Sequence, residues 1–465
     1  MPSIDDFATW EPVLRLLRAA NATSLAVPGG HVSGRIGNGW SLPLPRRIPP
    51  PGQAARTEDI RDELDAVERV RSALADADAG SGTGSGSISF AARIAPSGRT
   101  VLDLFGSSVA VESGIGGPHP GSLVLVEDAV PEPWRRLPDP APEAVPSPSV
   151  DPAALERTLR ERIPDAVGAP EEEIAATEAR LGVPLPDELK VLYRVTRAKW
   201  RNSRADRGAA MRVEDAVGCE VFSLDGLYVA DASSRPCLWQ FAAMEAVETS
   251  PDAEVQGIVG SPGWIAFGDN GGGDRIAVDL TPGPRGHIGQ IIMLSHEENV
   301  GADIVADSLT DLVMRRPDER RGNRRGDEPS AVAWVNHVSV KSVRAAAHHG
   351  LEALSIGVCD GEPFSLAPLV GLPRLRTLGA RAGTLADPLE IAELTRLEFL
   401  RLGPEDWRVL LDAGAVPRGL AAAFIEVSGD RHPAPVVDLA NELLGLWGRP
   451  PIPRTTLEGD LGPAT

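Results

Sequence analysis

Three consecutive glycines between two apolar runs constrain the fold of this chain more than any other feature. The runs cover residues 264–267 and Arg275–Asp279, and the glycines lie at 271–273. Aromatic and β-branched residues favour strands, and glycine accepts the positive φ that a tight turn needs. The pattern predicts two strands joined by a glycine turn.

A helix pair is predicted earlier in the chain. Apolar residues recur at helical spacing over residues 171–181 and again over 187–195, and the proline-containing segment 182–186 separates them. Pro186 suits the first position of a helix because no hydrogen bond is lost there, and the acidic residues after it suit the helix dipole. The sequence therefore predicts one helix, a sharp break and a second helix.

Helices followed by mostly hairpin-linked strands indicate an α+β domain with an antiparallel-rich sheet. Further strands of this domain are predicted at 220–222 and Gln290–Leu294. An α+β module is also expected at the N-terminus, with helices at 10–20 and 60–74 and strands at 88–94, 100–104 and 122–127. The fold class expected for the whole chain is α+β.

Composition marks the predicted domain boundaries. The segment 131–152 is rich in proline and poor in large apolar residues, which indicates an extended spacer, and the charged segment 315–330 indicates a solvated one. The expected order is an N-terminal module (1–135), a proline-rich linker (136–150), a central domain (151–316), a charged linker (317–330), a leucine-repeat domain (331–448) and a C-terminal tail (449–465).

Leucines recur in the C-terminal third of the chain. Segments starting at Gly350, Arg374 and Arg396 each carry an L-x-x-L pattern, and their starts lie about 22 to 24 residues apart, as in leucine-rich repeats. A short α/β leucine-rich-repeat domain is expected, capped by its flanking segments. An ordinary α/β region with accidental leucine spacing is the alternative.

Charge narrows the class of partner. The net charge is -20 and the isoelectric point is about 4.9, which argues against nucleic acid or an anionic membrane as the main partner. An acidic surface favours a basic protein, although acidity also serves solubility alone. The sequence predicts a protein partner and leaves the oligomeric state open.

Cysteine usage and hydropathy bear on location. Cys219, Cys237 and Cys359 show no C-x-x-C spacing, so neither a disulfide framework nor a zinc site is expected. The segment 1–6 is acidic and lacks the apolar core of a signal peptide, and no apolar run is long enough to span a membrane. A cytoplasmic protein is expected.

Three aspartates at five-residue spacing surround the glycine turn. Asp269, Asp274 and Asp279 suggest a cation site, because hard cations prefer several converging carboxylates. Aspartate is also common at tight turns for backbone reasons, and exposed carboxylates can contact a partner. The calcium-loop pattern D-x-D-x-D-G with a distal glutamate is missing, so the sequence predicts no metal site and no cofactor.

Histidines near these aspartates raise the question of catalysis. His287, His296 and Glu297 follow the hairpin, and a hydrolase with a histidine base oriented by Asp274 is conceivable. No G-x-S-x-G or H-E-x-x-H motif accompanies them. His348 and His349 are adjacent, and neighbouring helical residues point too far apart to share one metal easily. No catalytic residue is assigned, and the chain is expected not to be an enzyme.

The two segments together resemble the SUKH superfamily, the Smi-Knr type domain. Its pattern E-x-x-I-x-x-x-E-x-x-L-G-x-x-L-P-x-x-L-x-x-L-Y matches 171–193, and W-x-x-x-G-x-x-G-G-G-D matches 264–274. The resemblance implies a binding protein. Bacterial members look like immunity proteins that neutralise a cognate toxin, often a nuclease or deaminase, and eukaryotic members like regulators of cell-wall synthesis and signalling.

One segment departs from the family pattern. After Tyr193 the chain continues into an arginine-rich stretch, 194–212, which is expected to be a loop and which locally reverses the acidic character. Whether it contributes to binding stays open. The flanking domains are also unusual for a single-domain immunity protein, so a larger scaffold is a plausible alternative.

The leading hypothesis is a non-enzymatic, immunity-like protein of bacterial type that covers a basic nuclease or deaminase toxin with its sheet and adjoining loops. The alternative is a multi-domain scaffold or regulatory adaptor, related to cell-wall synthesis or signalling, with the leucine repeats as a second binding surface. Glu178 and Trp264 match positions of the family pattern and are expected to support the core, with an accessible indole edge. The candidate partner-binding residues are Glu178, Trp264, Asp269, Asp274 and Asp279.

Overall fold

The computed structural model describes residues 3–45, 61–81, 86–112, 122–126, 129–198, 204–315, 329–427 and 431–463. Its helices are α1 (Phe7–Ala20), α2 (Ala22–Ala26), α3 (Arg61–Ser81), α4 (Glu132–Arg135), α5 (Pro152–Arg162), α6 (Glu171–Leu181), α7 (Asp187–Val195), α8 (Arg204–Val217), α9 (Trp239–Ala242), α10 (Leu309–Arg315), α11 (Val343–Ala346), α12 (Pro404–Asp412) and α13 (Pro433–Leu446).

The strands are β1 (Val32–Ile36), β2 (Trp40–Ser41), β3 (Ile88–Ile94), β4 (Arg99–Phe105), β5 (Ser122–Val126), β6 (Glu220–Val221), β7 (Tyr228–Val229), β8 (Trp264–Asp269), β9 (Arg275–Asp279), β10 (Gln290–Leu294), β11 (Asp303–Ala306), β12 (Val332–Val335), β13 (Ala353–Ile356), β14 (Thr377–Ala380), β15 (Phe399–Leu402), β16 (Ala422–Glu426) and β17 (Arg454–Asp460). They form sheets ordered β17-β4-β3-β1-β2, β11-β10-β9-β8-β6 with β7 also on β8, and β12-β13-β14-β15-β16-β5. The predicted α+β class is confirmed.

The chain divides into two compact units that differ from the predicted domains. The first unit comprises Met1–Ala129, Trp334–His349 and Leu354–Thr465, and the second comprises Val130–Ala333 and Gly350–Ala353. Both ends of the chain belong to the first unit because β17 pairs along its whole length with β4, and β16 pairs with β5. The predicted N-terminal module (1–135) is thus completed by C-terminal strands, and the predicted tail (449–465) contains a strand.

Both faces of the second unit's sheet are buried. One face presents Ile265, Phe267 and Val278 to a core shared with residues of α5, α7, α8 and α10. The opposite face presents Trp264, Ala266 and neighbours to a second core that includes residues of the connecting loops. Burial on both sides explains why residues 264–267 of β8 are all apolar rather than alternating with polar residues. The expectation that the sheet itself covers a partner is therefore corrected, because only its edges and loops are accessible.

The proline-rich segment packs against the second unit instead of forming a free spacer. The side-chain amide of Gln256 accepts a hydrogen bond from the Asp139 backbone N–H at 2.7 Å and donates one to its carbonyl at 2.9 Å. Ile288 N–H donates to the Val145 carbonyl at 3.1 Å. These backbone groups thus bond to neighbouring loops of the second unit. Of the predicted linker 317–330, only 329 and 330 lie within the described residues.

The C-terminal strands show a regular repeat. β14, β15 and β16 are parallel, with Thr377 paired to Phe399 and Phe399 paired to Ala422. Short 3₁₀ segments, Ala367–Leu369 and Pro388–Glu393, lie between successive strands. This geometry agrees with the predicted spacing, but assignment of the segment to the leucine-rich repeats stays a prediction.

The arginine-rich stretch 194–212 is not a loop throughout. Residues 199–203 lie outside the described residues, and α8 begins at Arg204. Alanine and arginine both have high helix propensity, and Val213, Ala216 and Val217 provide a buried face. The prediction of a loop up to residue 212 was wrong because it gave more weight to charge than to this spacing.

Candidate functional site

Glu178 holds the corner between the two predicted helices, α6 and α7. Gly182 ends α6 with a φ of 71°, and the Glu178 carboxylate then accepts a hydrogen bond from Leu185 N–H at 2.8 Å and lies 2.8 Å from the Lys190 ammonium. The hydrogen bond from Lys190, aided by that from Leu185, keeps the pKa of Glu178 below its usual value. Glu178 is therefore a scaffold residue that stays partly exposed.

The turn between β8 and β9 is built from side-chain oxygens that bind backbone N–H groups. Asp269 Oδ1 accepts from Gly271 at 2.7 Å and from Gly273 at 3.3 Å, and its other oxygen is paired with Arg275, its cross-strand neighbour. Asn270 Oδ1 accepts from Gly272 at 2.7 Å. Gly273 has a φ of 104°, which L side chains rarely adopt. The turn interpretation of Asp269 is supported by these contacts.

Asp274 links the turn to the end of β10. Its Oδ1 lies 2.7 Å from His296 Nδ1 and accepts a hydrogen bond from His296 N–H at 3.0 Å, while Oδ2 accepts from Asn270 Nδ2 at 2.6 Å. Partial burial raises the pKa of Asp274, but the hydrogen bonds from His296 and Asn270 outweigh it and leave the pKa below its ordinary value. The structure thus brings His296 and Asp274 together, with the histidine about half exposed.

Trp264 and Asp279 are buried and cannot touch a partner. They are direct cross-strand neighbours on β8 and β9, and Trp264 Nε1 donates to Asp279 Oδ1 at 2.9 Å. Asp279 also accepts hydrogen bonds from Thr281 and Gln290, both at 2.8 Å. Burial raises the pKa of Asp279 to about 6 against these hydrogen bonds. Trp264 has the core role expected for it, but it is fully buried, so the expected accessible indole edge is absent. Asp279 is corrected from a candidate partner contact to a core support.

The three aspartates do not share ligands. Asp269 binds Arg275 and the turn amides, Asp274 binds His296 and Asn270, and Asp279 binds Trp264, Thr281 and Gln290. Within the described ranges, no group of three or more histidine, cysteine, aspartate or glutamate side chains is placed to hold a metal ion. His348 and His349 follow the end of α11 rather than lying within a helix. The carboxylates act mainly in shaping the hairpin.

An open groove of about 560 Å³ lies beside this hairpin and was not anticipated from the sequence. Its walls include half-buried Phe222 and Tyr228, and the Arg275 guanidinium carbon lies 5.8 Å from the centre of the Phe222 ring. Aromatic residues and arginine are frequent at energetically important positions of protein interfaces. The sequence signal that could have indicated this groove is Tyr228, because tyrosine occurs only twice in the chain and this one lies in a predicted β-rich region.

The contacts that two further residues make with distant segments were not predicted from the sequence. Arg235 donates to the backbone carbonyls of Val259, Ser295, Glu298 and Asn299 at 2.7 to 3.0 Å, which ties several loops together. Glu188 accepts from the N–H groups of Leu309 and Thr310 at the start of α10. No local pattern marks Arg235, since its partners lie in distant segments.

The second unit is an α+β domain with helices packed on its sheet. The carboxylates in the turn and core of this domain stabilise its fold, and a groove at the edge of the sheet is accessible. Residues 168–315 match the SMI1 / KNR4 family (SUKH-1), and this part of the chain is a domain of that family. The predicted resemblance is therefore confirmed for the central domain.

Similar proteins come from fungi. The chain is 37% identical over 67 residues to a "Glucan synthesis regulatory protein" of Neurospora crassa, covering 14% of this chain and 13% of that protein. It is 32% identical over 87 residues to a "KNR4/SMI1 homolog" of Yarrowia lipolytica, covering 19% and 12%. It is 36% identical over 63 residues to a "Cell wall biosynthesis/cell cycle regulator smi1" of Schizosaccharomyces pombe, covering 14% and 12%. The matches thus span only about an eighth of these relatives.

No helix in the described part of the chain is both long enough and apolar enough to cross a membrane.

Proposed function

We propose that the SUKH-1 domain is a non-enzymatic, regulatory protein-binding module. The observation that carries the proposal is the aromatic and arginine-lined groove, which lies beside a hairpin whose aspartates Asp269 and Asp274 bind groups within the domain. The names of two similar fungal proteins describe regulators, which supports the regulatory adaptor over toxin neutralisation.

The groove has the properties of a protein contact surface. Phe222 provides apolar area, and the planar Arg275 cation lies over its ring. A partner can therefore bury the ring without desolvating an unpaired charge. Asp269 pairs with Arg275 and fixes the guanidinium beside the ring. A preorganised side chain loses less conformational entropy when a partner binds.

The test uses the tagged full chain to capture proteins from its native host, followed by binding measurements with each purified candidate partner. Phe222→Ala and Tyr228→Ala are expected to weaken binding about tenfold or more, as for truncated aromatic residues at an interface centre. Phe241→Ala is the matched control, because Phe241 is 51% exposed and lies outside the groove. Equal binding by all variants would show that the groove is not the binding surface. Failure to find any partner that binds saturably would contradict the proposal of a protein-binding module.

Toxin neutralisation is the second candidate, and the chain's net charge of -20 is the observation that favours it. A basic nuclease or deaminase would be attracted to such a chain, with faster association at low salt. Co-expression with a toxin from the same genome tests this hypothesis. Growth rescue by the full chain and its loss in Phe222→Ala would favour neutralisation over the adaptor.

A further inference from the structure

The last strand of the first unit, β17, forms an edge of its sheet and is largely exposed. It pairs with β4 from Arg454↔Phe105 to Asp460↔Arg99. On its other side, no strand among the described residues pairs with it. A seven-residue edge strand with free backbone groups is a template for pairing with another strand.

The hydrogen-bond pattern shows which groups of β17 face outward. Gly106 N–H donates to the Pro453 carbonyl, and Leu461 N–H donates to the Gly98 carbonyl, both at 2.9 Å. In an antiparallel ladder, every second residue exchanges its hydrogen bonds with the same neighbour. The odd-numbered residues from 453 to 461 therefore bond towards β4. The even-numbered residues direct their N–H and carbonyl groups outward, and these are Arg454, Thr456, Glu458 and Asp460.

We propose that the chain forms a two-fold homodimer in which β17 pairs antiparallel with β17 of a second copy. A two-fold axis at Leu457 places Arg454 opposite Asp460 of the second copy, and Thr456 opposite Glu458. Every residue in these pairs is outward-facing, so the axis aligns free donors with free acceptors without disturbing β4. A register shifted by one residue would set outward groups opposite inward ones, so the alternation excludes it.

Side-chain charge supports the second copy as the occupant. The pairing places the Arg454 guanidinium beside the Asp460 carboxylate of the other copy, and opposite charges on directly paired strand residues are favourable. Arg454 remains one third exposed, although it already contacts the fully buried Asp103 at 3.1 Å. Thr456 also donates to Asp103, at 2.6 Å. These two contacts hold β17 on β4, so the outward groups are presented on a fixed strand.

Sedimentation equilibrium of the full chain over a concentration series tests the proposal. Glu458→Pro removes an outward N–H but no hydrogen bond to β4, and the wild type is expected to dimerise about tenfold or more tightly than this variant. Glu458→Gln keeps the N–H and should dimerise like the wild type. Asp460→Lys replaces the attraction to Arg454 with repulsion and should also weaken the dimer, whereas Asp460→Asn should have a smaller effect.

Amide hydrogen exchange supplies a direct readout of the register. The amides of residues 454, 456, 458 and 460 should gain protection as protein concentration rises, while those of 455, 457 and 459 should be protected at every concentration. Constant protection of the odd-numbered amides also confirms that each variant keeps β17 on β4. A monomeric wild type, or a dimer equally stable in Glu458→Pro, would overturn the proposal. Protection of the even-numbered amides only after another host protein is added would replace self-pairing with a different occupant.

Discussion

Asp279 is a fully buried carboxylate that accepts hydrogen bonds from Trp264, Thr281 and Gln290. Burial disfavours its charged form, and the hydrogen bonds favour it. The balance leaves the pKa at about 6, above the ordinary value of 3.8. Because the folded-state pKa is the higher one, the folded protein binds this proton more tightly than the unfolded chain does. The resulting stabilisation is complete below about pH 4 and is lost as the pH rises through 6.

Replacement of Asp279 by asparagine should remove this pH dependence. From pH 4 to pH 7, the Asp279 contribution to the free energy of unfolding should fall by about 2 kcal/mol in the wild type and be absent in Asp279→Asn. Urea unfolding of both proteins across this range measures the difference. Asp252→Asn is the control, and the pH dependence of stability that it removes should have the opposite sign. The hydrogen bond from Ser250 lowers the pKa of the exposed Asp252 carboxyl instead of raising it. A difference between wild type and Asp279→Asn that does not change with pH would contradict the prediction.

Sequence spacing treats Asp269, Asp274 and Asp279 alike, but their environments differ. The turn role of Asp269 was predictable because aspartate beside glycine has a local backbone cause. The burial of Asp279 depends instead on Trp264 opposite it and on Gln290 from the next strand. The groove at Phe222 likewise depends on residues from three strands or their ends. Local patterns identify turn chemistry, whereas burial and grooves require the tertiary arrangement.

Helix α10 shows how one element fixes another. The Glu188 carboxylate, on α7, accepts from Leu309 N–H and Thr310 N–H, both at 3.1 Å, and pairs with the Thr310 hydroxyl. The first N–H groups of a helix have no partner within the helix, so this buried carboxylate serves as a cap from a distant segment. The sequence analysis placed Glu188 correctly at the start of α7 but assigned its charge only to that helix.

Glu188→Ala should destabilise the second unit by about 2 kcal/mol or more, because it leaves buried N–H groups at the start of α10 without an acceptor. Glu172→Ala is the matched control: it is an exposed glutamate in the first turn of α6, and its loss should change stability by less than about 0.5 kcal/mol. Chemical denaturation measures both effects, and amide exchange in α10 localises the first. Equal stability of the two variants would show that the cap contributes little.

Predicted elements were most accurate where the cause is local. The strands at 88–94 and 220–222, the helix pair and the glycine hairpin all follow from short-range periodicity, and the structure confirms each within a few residues. The strand β17 was missed because its sequence is polar and its partner β4 lies some 350 residues earlier in the chain. No local pattern encodes which distant strand supplies a partner.

The whole molecule is organised as an insertion. Val130–Ala333 forms most of the second unit, and the first unit is assembled from the segments on either side of it. Composition predicts domain boundaries near residues 131–152 and 315–330. It does not reveal that the outer segments fold together, because strand pairing between β16 and β5 and between β17 and β4 is long-range. Deleting residues 331–465 would consequently damage both the predicted N-terminal module and the repeat domain.

Separately produced fragments of the two units should therefore differ in whether they unfold cooperatively. A fragment of residues 1–129 alone should not unfold cooperatively, because it leaves β4 and β5 without β17 and β16 and leaves buried Asp103 without Arg454 and Thr456. Residues 130–333 alone should give a cooperative thermal transition, since both cores around the central sheet lie within them. Circular dichroism during heating measures both transitions.

Complementation provides the control for this prediction. Mixing residues 1–129 with separately produced 334–463 should restore amide protection in β4, since the second fragment supplies β17. The same mixture made with 334–449, which lacks β17, should leave the β4 amides that face β17 (Thr100, Leu102 and Leu104) unprotected, while β16 can still pair with β5. A cooperative transition of 1–129 on its own would mean that the N-terminal sheet is stable without its C-terminal strand. In that case β17 would be an addition to the unit, and its contacts with Asp103 would not be required for folding.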